Sequence, residues 1–372
     1  MVGGGPGSFI GPVHRMAAEL DGQIRLVAGV FSRDPDRSRQ AAEAWGVDPA
    51  RTYPDYGTLI EAEAARADGA RLAAIVTPNH LHFGIAAAAL KAGLHVMSEK
   101  PATRDLGEAQ ALADIVAASG RLYGLTHVYT GYPMVREARE IVARGDLGAV
   151  RKIVVEYAQG WLSRPIERDG DRQAAWRADP AQAGAGGCIG DIGTHAFNLA
   201  EFVTGRRVET LCADVSTIVP GRVLDDDCNV LLRFAGGARG VLIASQVSAG
   251  ARNGLTIKVY GEKGGLGWSH ERHAELVVDW LDGPTQVLHA GSGYLSAPAR
   301  AGSRIPAGHP EGFIEAFANI YRDFADAIVE GRASAAPVPG IEEGVRAMAF
   351  VERAVVASRA GAGWVGLLEE AG

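Results

Sequence analysis

The chain has 372 residues, a length that predicts two domains, because a single hydrophobic core seldom keeps growing beyond about 250–300 residues. Hydrophobic residues make up 47% of the sequence and charged residues 22%, as in ordinary globular proteins, which argues against intrinsic disorder. The net charge of −7 is accompanied by no basic run, so nucleic acid and anionic membranes are excluded as expected partners, and a small polar molecule fits better.

The cysteines and the apolar segments indicate the compartment. Cys188, Cys212 and Cys228 are odd in number and widely spaced, so they predict neither a disulfide framework nor a zinc site. The sequence has no apolar run of membrane-spanning length, and its N-terminus lacks the order of charges and apolar residues that defines a signal peptide. We therefore expect a cytoplasmic protein without a bound metal.

A glycine-rich segment, residues 2–12, begins the chain, and a helix pattern follows it directly. The apolar residues of that pattern recur at helical spacing: Val13, Met16, Ala17 and Leu20. Glycines such as Gly3 and Gly5 would let the backbone approach a pyrophosphate at the helix N-terminus, and Pro12 suits the first helical position. The segment predicts a dinucleotide-binding loop, with a flexible N-terminal tail as the alternative.

This loop departs from the usual Gly-x-Gly-x-x-Gly spacing. If Gly3 and Gly5 open the turn and Gly11 closes it, the loop carries two extra residues. The strand before it is reduced to Met1-Val2, whereas a central parallel strand needs about five residues. We expect a lengthened phosphate loop and interpret the first strand as truncated or its start as misassigned.

The first third of the chain alternates short apolar runs with helix patterns. The runs are Leu26–Val30, Leu72–Val76 and Gly93–Met97, and a second helix pattern is carried by Leu106, Ala109, Ala113 and Val116. Strand and helix in alternation predict a parallel, doubly wound sheet of the α/β class.

Residues 31–34, which follow the first of these runs, bear on the choice of dinucleotide. NAD-selective sites usually present a carboxylate here to the ribose 2′-hydroxyl. Ser32, Arg33 and Arg37 can instead bind a 2′-phosphate, so NAD and NADP both remain open. The alternative is that these residues are the solvated start of a helix over Pro35–Ala44, capped by Asp34.

Two polar segments follow the next two runs, at the sheet edge where open α/β folds bind ligands. In residues 77–82, His80 and His82 could form a pair of metal ligands, but no third ligand has suitable spacing. Helix capping and cofactor packing are therefore the preferred interpretations of this segment. In residues 99–101, Pro101 disfavours helix at Lys100 and can aim that side chain at the cofactor.

After about Arg151 the predicted strands follow one another directly. They are Lys152–Tyr157, Leu211–Ile218, Cys228–Phe234, Ala238–Val247, Leu255–Tyr260 and Leu276–Trp280, and Gly236-Gly237 is a hairpin signal. We expect a largely antiparallel sheet, closed by one helix carrying Phe313 to Ile328 and another starting at about Ile341. The carboxylate run 225–227 is interpreted as a solvated turn.

Several segments together resemble the Gfo/Idh/MocA oxidoreductases, a family named for glucose-fructose oxidoreductase and inositol dehydrogenase. They are the glycine loop with His14 three residues after Gly11, residues 77–82, residues 99–101, residues 176–195 and the glycine turn at 260–265. Their order and separations are specific, and they cover nearly the whole chain. The resemblance supports an N-terminal Rossmann NAD(P)-binding domain over residues 1–128 and a C-terminal α+β domain, with a large, mostly antiparallel open sheet, over residues 129–372.

The resemblance also implies catalytic roles. His195 would be the general acid/base, Lys100 would hydrogen-bond the reacting oxygen, and Asp191 would orient the substrate or the histidine. Asp191 and His195 are four residues apart at the start of a helix, so both can face one cleft. Taken singly, each has a structural alternative, a helix N-terminal carboxylate and a satisfied core histidine.

The expected ligand contacts are extensive. For the dinucleotide they are Gly3, Gly5, Gly7, Phe9, Ile10, Ser32, Arg33, Arg37, Thr77, Pro78, Asn79, His82, Glu99, Lys100, Pro101 and His127. For the substrate they are Lys100, Tyr129, Trp161, Trp176, Arg177, Asp191 and His195, with Tyr132 and His309 as further candidates. Core packing is the alternative for the tryptophans.

The resulting hypothesis is an NAD(P)-dependent oxidoreductase that interconverts a secondary alcohol and a ketone on a sugar, sugar derivative or inositol. Two alternatives remain, a glycoside-cleaving enzyme that uses NAD transiently and a non-catalytic sensor of dinucleotide or sugar. The resemblance further implies a homodimer or homotetramer associated through the open sheet face. Val230, Leu232 and Phe234, on one side of a predicted strand, permit such a face.

Overall fold

The computed structural model describes residues 1–368, and for Arg172 and Gln173 it describes the backbone alone. In this part of the chain, thirteen strands form two β-sheets and twelve α-helices pack beside them. None of the described helices combines the length and the apolar character that crossing a membrane requires.

The chain divides into two compact units. The first contains residues 1–128 and 313–345, and the second contains residues 129–312 and the chain from residue 346 onward. The predicted domains also change between residues 128 and 129, but segment 313–345 falls in the predicted second domain and lies in the first unit. Residues 369–372 of the predicted second domain lie outside the described residues.

The elements have the following bounds. The strands are β1 Val2–Gly3, β2 Leu72–Val76, β3 His95–Ser98, β4 Tyr123–Leu125, β5 Lys152–Ala158, β6 Val208–Ser216, β7 Asp227–Phe234, β8 Arg239–Ser245, β9 Gly254–Tyr260, β10 Gly264–Ser269, β11 Glu275–Trp280, β12 Gln286–His289 and β13 Val365–Gly366. The helices are α1 Ile10–Glu19, α2 Pro35–Ala44, α3 Tyr56–Ala65, α4 His82–Lys91, α5 Leu106–Ser119, α6 Pro133–Ala143, α7 Arg172–Arg177, α8 Pro180–Ala183, α9 Thr194–Thr204, α10 Ala297–Ala301, α11 Phe313–Val329 and α12 Ile341–Arg359.

The sheet of the first unit is parallel, with strand order β1-β2-β3-β4, and confirms the prediction of a Rossmann-type α/β domain. The predicted strand Leu26–Val30 does not form as a continuous strand. It makes isolated bridges from Val30 to Val2 and from Gly29 to Thr52. Its pairing stops there because β1, which it would flank, consists of two residues.

The sheet of the second unit has nine strands in the order β12-β11-β10-β9-β5-β8-β7-β6-β13. Every pairing is antiparallel except that of β5 with β8, which confirms the predicted mostly antiparallel sheet. Gly236 and Gly237 connect β7 to β8 with φ values of 80° and 90°, as the hairpin signal predicted. Helix α9 packs against β5, β8 and β9.

Strand β7 shows which sheet face is covered. Val230, Leu232 and Phe234 are each 1% exposed and belong to the interior of the second unit. Leu231, between them, points to the opposite face and is 48% exposed. The open face is therefore the one that carries Leu231, and the three residues chosen from the sequence lie on the covered face.

The carboxylate run at 225–227 also departs from its prediction. Asp225 is 8% exposed and Asp226 is fully buried, so the interpretation as a solvated turn is wrong for both. Their carboxylates accept hydrogen bonds from backbone N–H groups, which satisfy charges that would otherwise be costly to bury. Asp227, the third residue, is half-buried at the start of β7.

Candidate active site

The glycine loop packs too closely for side chains at Gly3, Gly4, Gly5 and Gly11. A Cβ on Gly3 would lie 2.3 Å from the carbonyl oxygen of Val76, and φ at Gly3 is 83°. A Cβ on Gly11 would lie 1.9 Å from the carbonyl oxygen of Gly4. These approaches place the loop directly against the end of β2 and against the first turn of α1.

Helix α1 starts at Ile10 and follows this loop directly. Phe9 stands at the N-cap and its side chain makes no capping bond, while the Ser8 hydroxyl accepts a hydrogen bond from Gly11 N at 3.1 Å. Pro12 is the third helical residue rather than the first, and it remains in the turn whose N–H groups have no helical partner. Close-packed glycines before a helix N-terminus suit a pyrophosphate, so these residues fit the dinucleotide.

The residues expected to discriminate between NAD and NADP have local partners. Asp34 caps α2 by accepting hydrogen bonds from Asp36 N and Arg37 N, as the alternative interpretation of this segment anticipated. The Ser32 hydroxyl accepts a hydrogen bond from Asp34 N. Arg37 donates to the carbonyl oxygen of Pro6 at 2.8 Å, so its guanidinium is tied to the glycine loop.

The segment after β2 places Asn79 in a short 3₁₀ turn that leads into α4. His82 is fully buried, and its Nδ1 and Nε2 lie 2.7 and 2.8 Å from the carbonyl oxygens of Pro101 and Thr77. Burial lowers the pKa of His82, and a neutral ring donates only one of these hydrogen bonds. His82 thus joins the segments that follow β2 and β3.

Glu99, directly after β3, is bound by side chains from two other segments of the first unit. Its Oε1 lies 2.9 Å from His14 Nε2 and accepts a hydrogen bond from the Thr126 hydroxyl at 2.5 Å. The other ring nitrogen of His14 lies 2.6 Å from the Tyr321 hydroxyl on α11. Burial alone would raise the pKa of Glu99, but His14, Lys100 and Thr126 together hold it below its usual value.

Lys100 is half-buried beside this carboxylate, and its peptide bond to Pro101 is cis. The charge of Lys100 also acts on His127, which follows β4. Burial first, and then this charge, lower the pKa of His127 to about 3, so that His127 is neutral at pH 7. The predicted residues at 77–82, 99–101 and 127, like the glycine loop, all follow carboxyl ends of parallel strands and so lie on one edge of this sheet.

In the second unit, Asp191 and His195 lie on consecutive elements rather than on one α-helix. Residues Ile189–Gly193 form a π-helical turn that contains Asp191, and α9 begins at Thr194. His195 is 8% exposed, and its ring meets the Tyr129 ring edge-on at 5.0 Å between centroids. π-Helical turns are rare and occur frequently at functional sites.

Asp191 binds an amide side chain and a guanidinium side chain. Gln246 Nε2 donates to its Oδ2 at 2.9 Å, and Arg177 Nε lies 3.2 Å from the same oxygen. The Arg177 guanidinium also stacks on the Trp176 ring, 4.2 Å from its centroid, and lies 5.9 Å from that of Trp161. Arg177 therefore links the carboxylate of Asp191 to the rings of Trp161 and Trp176, and these four predicted substrate residues lie together.

Tyr129 belongs to a network of hydroxyl and amide side chains. Its hydroxyl bonds to that of Tyr157 and accepts from Asn253 Nδ2 at 3.1 Å. Tyr157 donates to Asn253 Oδ1 at 2.6 Å, and Gln159 Nε2 donates to the same oxygen at 2.8 Å. Burial raises the pKa of both phenols and the Asp191 charge adds to this, so both stay protonated and able to donate.

The network contains residues that the sequence analysis missed, namely Tyr157, Gln159, Gln246, Asn253 and His270. They lie at one end of the nine-stranded sheet, where β5, β8 and β10 end and β9 begins. Strand ends identified the polar residues of the first unit, and the same criterion applied to the predicted strands Lys152–Tyr157 and Leu255–Tyr260 would have indicated Tyr157, Gln159 and Asn253 but neither Gln246 nor His270.

The two further candidates differ in position. Tyr132 is 1% exposed, and its hydroxyl lies 3.0 Å from His270 Nε2, within the same network. His309 is exposed, and its Nδ1 lies 3.1 Å from the carbonyl oxygen of Pro306 in its own turn.

The Rossmann-type sheet and its glycine loop are those of an NAD-binding oxidoreductase. Residues 1–142 match the model of an oxidoreductase family with an NAD-binding Rossmann fold, and residues 135–267 match the GFO/IDH/MocA C-terminal domain. The chain belongs to the Gfo/Idh/MocA oxidoreductase family, as the motifs predicted.

Relatives match over nearly the whole length. An uncharacterized oxidoreductase of Bacillus subtilis, YfiI, is 33% identical over 98% of this chain and 95% of its own. Levoglucosan dehydrogenase of Pseudarthrobacter phenanthrenivorans is 27% identical over 98% of this chain and 96% of its own. An inositol dehydrogenase homolog from Azotobacter vinelandii, solved with NAD+, has a TM-score of 0.94 and 41% identity over 98% of this chain and 96% of its own. Its complex with NADH and myo-inositol has a TM-score of 0.90 and 40% identity over the same shares.

Proposed function

We propose that the chain is an NAD-dependent dehydrogenase that interconverts a secondary alcohol and a ketone on an inositol, a sugar or a sugar derivative. One observation carries this proposal: His195 and Asp191 stand at the end of a sheet among the hydroxyl and amide groups of Tyr129, Gln159 and Asn253. Such groups both donate and accept hydrogen bonds, as recognition of a polyhydroxylated ring requires.

Three residues are assigned roles in this reaction. NAD, when bound, accepts the hydride from the carbinol carbon. His195 takes the proton of the substrate hydroxyl, and Lys100 hydrogen-bonds the reacting oxygen and stabilises the charge that develops on it. Asp191, fixed by Gln246 and Arg177, orients the substrate or His195. The matching motifs of the family support these assignments.

The proposal favours NAD over NADP. Arg37, a candidate phosphate ligand, is engaged with Pro6 of the glycine loop. The relative solved with NAD+ and NADH points the same way.

The test is a panel of inositols, aldoses and their derivatives, each assayed with NAD and with NADP by the absorbance of the reduced nicotinamide. We expect turnover of at least one cyclic polyol and a lower KM for NAD than for NADP. His195→Ala and Lys100→Met should each lower kcat by about 100-fold or more, with NAD binding retained, because general acid–base catalysis typically contributes 10²–10⁴-fold.

Two matched variants serve as controls. His289→Ala removes an exposed histidine from β12, and Lys91→Met removes an exposed lysine from the end of α4, and both should keep wild-type kcat. Release of a leaving group from a glycoside without net NADH would identify the glycoside-cleaving alternative instead. Binding of dinucleotide and sugar with no turnover of either kind would identify a sensor.

We further propose that the protein associates with itself, as a dimer or tetramer, through the open face of the nine-stranded sheet. Leu231 on this face pairs with Cys212 on β6 and Val241 on β8, and Val241 pairs with Val154 on β5. This apolar row crosses four adjacent strands, and the resemblance to the family supports a second copy of the chain as its occupant.

A further inference from the structure

We propose that Asp225 is a positioning residue: its carboxylate fixes the π-helical turn that carries Asp191 and leads into His195. This inference rests on the proposed function. It gives a role in that reaction to a residue that acts through the backbone of this turn.

The contacts of Asp225 concentrate on three consecutive peptide groups. Its Oδ1 accepts a hydrogen bond from Gly187 N at 2.6 Å, and its Oδ2 accepts one from Ile189 N at 2.7 Å. Its own carbonyl oxygen accepts one from Cys188 N at 2.9 Å. Asp225 therefore binds every N–H group from 187 to 189, directly before and at the start of the turn.

This attachment is transmitted to Asp191 through the backbone. Asp191 N donates to the carbonyl oxygen of Gly187 at 2.9 Å, so the position of Gly187 sets that of Asp191. A Cβ on Gly187 would lie 2.4 Å from the carbonyl oxygen of Asp225. These two segments of the chain can therefore approach so closely only with glycine at position 187. A displacement of Asp225 would thus move the whole turn.

The neighbouring residue supports Asp191 from its other side. The carbonyl oxygen of Asp226 accepts a hydrogen bond from Gln246 N at 2.9 Å, and Gln246 Nε2 donates to Asp191. The Asp226 carboxylate in turn accepts from Ile218 N, Val219 N and the Arg222 guanidinium, which stiffens the connection between β6 and β7. Asp225 and Asp226, which are successive residues of this connection, therefore support Asp191 by two routes. Asp225 acts through the backbone of the turn, and Asp226 acts through Gln246.

Arg222, in the same connection, holds a third segment of the site. It donates to the carbonyl oxygens of Leu162 and Arg164 and pairs with Glu167, and its side chain is 3% exposed. Residues 162–167 directly follow Trp161, the predicted substrate residue after β5. The connection between β6 and β7 is accordingly the scaffold of the substrate-side residues in the second unit.

The decisive variant is Asp225→Asn, with Asp227→Asn as its matched control. The amide keeps the size of the carboxylate but presents an NH₂ group where an oxygen accepts a backbone N–H, so one of the two bonds is lost. Asp227 belongs to the same carboxylate run, and its Oδ2 accepts a hydrogen bond from Asn229 Nδ2 instead. The two variants therefore make the same chemical change two residues apart.

The full-length protein and both variants are assayed with the best substrate of the panel and with NAD. For Asp225→Asn we expect kcat to fall about 10-fold or more, which corresponds to the loss of one or two hydrogen bonds to a charged group. The KM for NAD should change less than about twofold. Hydrogen exchange of the Gly187 and Ile189 amides should be faster by about 10-fold or more. Asp227→Asn should change none of these quantities.

Each result decides the proposal. Wild-type kcat in Asp225→Asn, or unchanged exchange at 187–189, would overturn it. A parallel loss of NAD binding would overturn it as well, because a general loss of structure and not the turn would then be responsible. Lack of turnover by the wild-type protein would refute the proposed function, whereas the exchange measurement would still decide whether Asp225 holds the turn.

If Asp225→Asn does not fold, hydrogen exchange in the wild-type protein decides the proposal. The amides at 187–189 should be as protected as those of α9, and rapid exchange there would contradict the proposal.

Discussion

Burial and neighbouring groups together set the protonation states around Lys100. His127 is neutral at pH 7 because burial and the charge of Lys100 lower its pKa to about 3. Glu99 stays ionised because His14, Lys100 and Thr126 outweigh the effect of its burial on the pKa. Lys100 therefore has a carboxylate as its charged neighbour and an uncharged imidazole beside it.

Asp225 gives a pH-dependent prediction. Burial raises its pKa from the usual 3.8 to about 6, so between these values the folded chain binds a proton that the unfolded chain has released. Its contribution to the free energy of unfolding is therefore fully present below about pH 4 and is lost as the pH rises to about 6. At about 1.36 kcal/mol per pH unit, the change is about 3 kcal/mol.

The measurement is urea unfolding of the wild type and of Asp225→Asn between pH 4 and pH 8. We expect the wild type to lose stability relative to the variant across pH 4 to 6, and the difference to be constant above about pH 7. A difference that does not vary with pH would show that the pKa of Asp225 is the same in the folded and unfolded chains.

The catalytic residues proposed here were accessible from the sequence because each sits in a short local motif. Lys100 follows a buried strand, and Asp191 and His195 sit in a glycine-rich segment before a helix. Gln246 and Asn253 carry no such motif, because their positions depend on strand pairings between distant parts of the chain. Asp225 was misinterpreted for the same reason, since the amides that justify its burial lie 36 and 38 residues away.

Among the elements, the first turn of α1 is under a severe steric constraint. Gly11 is the second residue of this helix, and a Cβ there would meet the carbonyl oxygen of Gly4 at 1.9 Å. Gly11→Ala should move the glycine loop away from the helix. We expect dinucleotide binding to weaken by about 10-fold or more and stability to fall by about 1–3 kcal/mol, as for other overpacked sites.

The matched control is Gly107→Ala, at the second residue of α5. A Cβ there would lie 3.5 Å from Asp105 Oδ1, an ordinary contact, so this variant should bind NAD as the wild type does. Titration of both variants with NADH, followed by nicotinamide fluorescence, distinguishes them. Equal affinities would show that the loop tolerates a methyl group at Gly11.

Elements with strong local signals were predicted with accurate bounds. Helix α2 has Asp34 as its cap and Pro35 in its first turn, and β2 is an uninterrupted apolar run, so both have the predicted limits. Strand β10 was missed because Gly264, Gly265 and Gly267 favour turns. It forms nevertheless, because β9 and β11 supply hydrogen-bonding partners along both of its edges.

At the scale of the whole molecule, the open face of the nine-stranded sheet is the surface that we propose for self-association. Leu231→Arg places a charge in the middle of its apolar row, so we expect the protein to shift from a dimer or tetramer to the monomer. Size-exclusion chromatography with light scattering measures the mass. Val329→Arg, at an apolar residue of the first unit that is 79% exposed, is the control and should leave the mass unchanged.

A wild-type protein that is already monomeric at micromolar concentration would refute self-association through this face. An oligomer that Leu231→Arg leaves intact would place the interface elsewhere.

The position of the polar network at strand ends has a consequence for redesign. Gln159 and Gln246 follow the last paired residues of β5 and β8, and Asn253 precedes the first paired residue of β9. Their side chains can therefore be varied without removing a rung of the sheet. A combinatorial library at Gln159 and Asn253, with Gln246 retained because it binds Asp191, should keep most of its members folded, and we expect the preferred substrate of the proposed dehydrogenase to change among them.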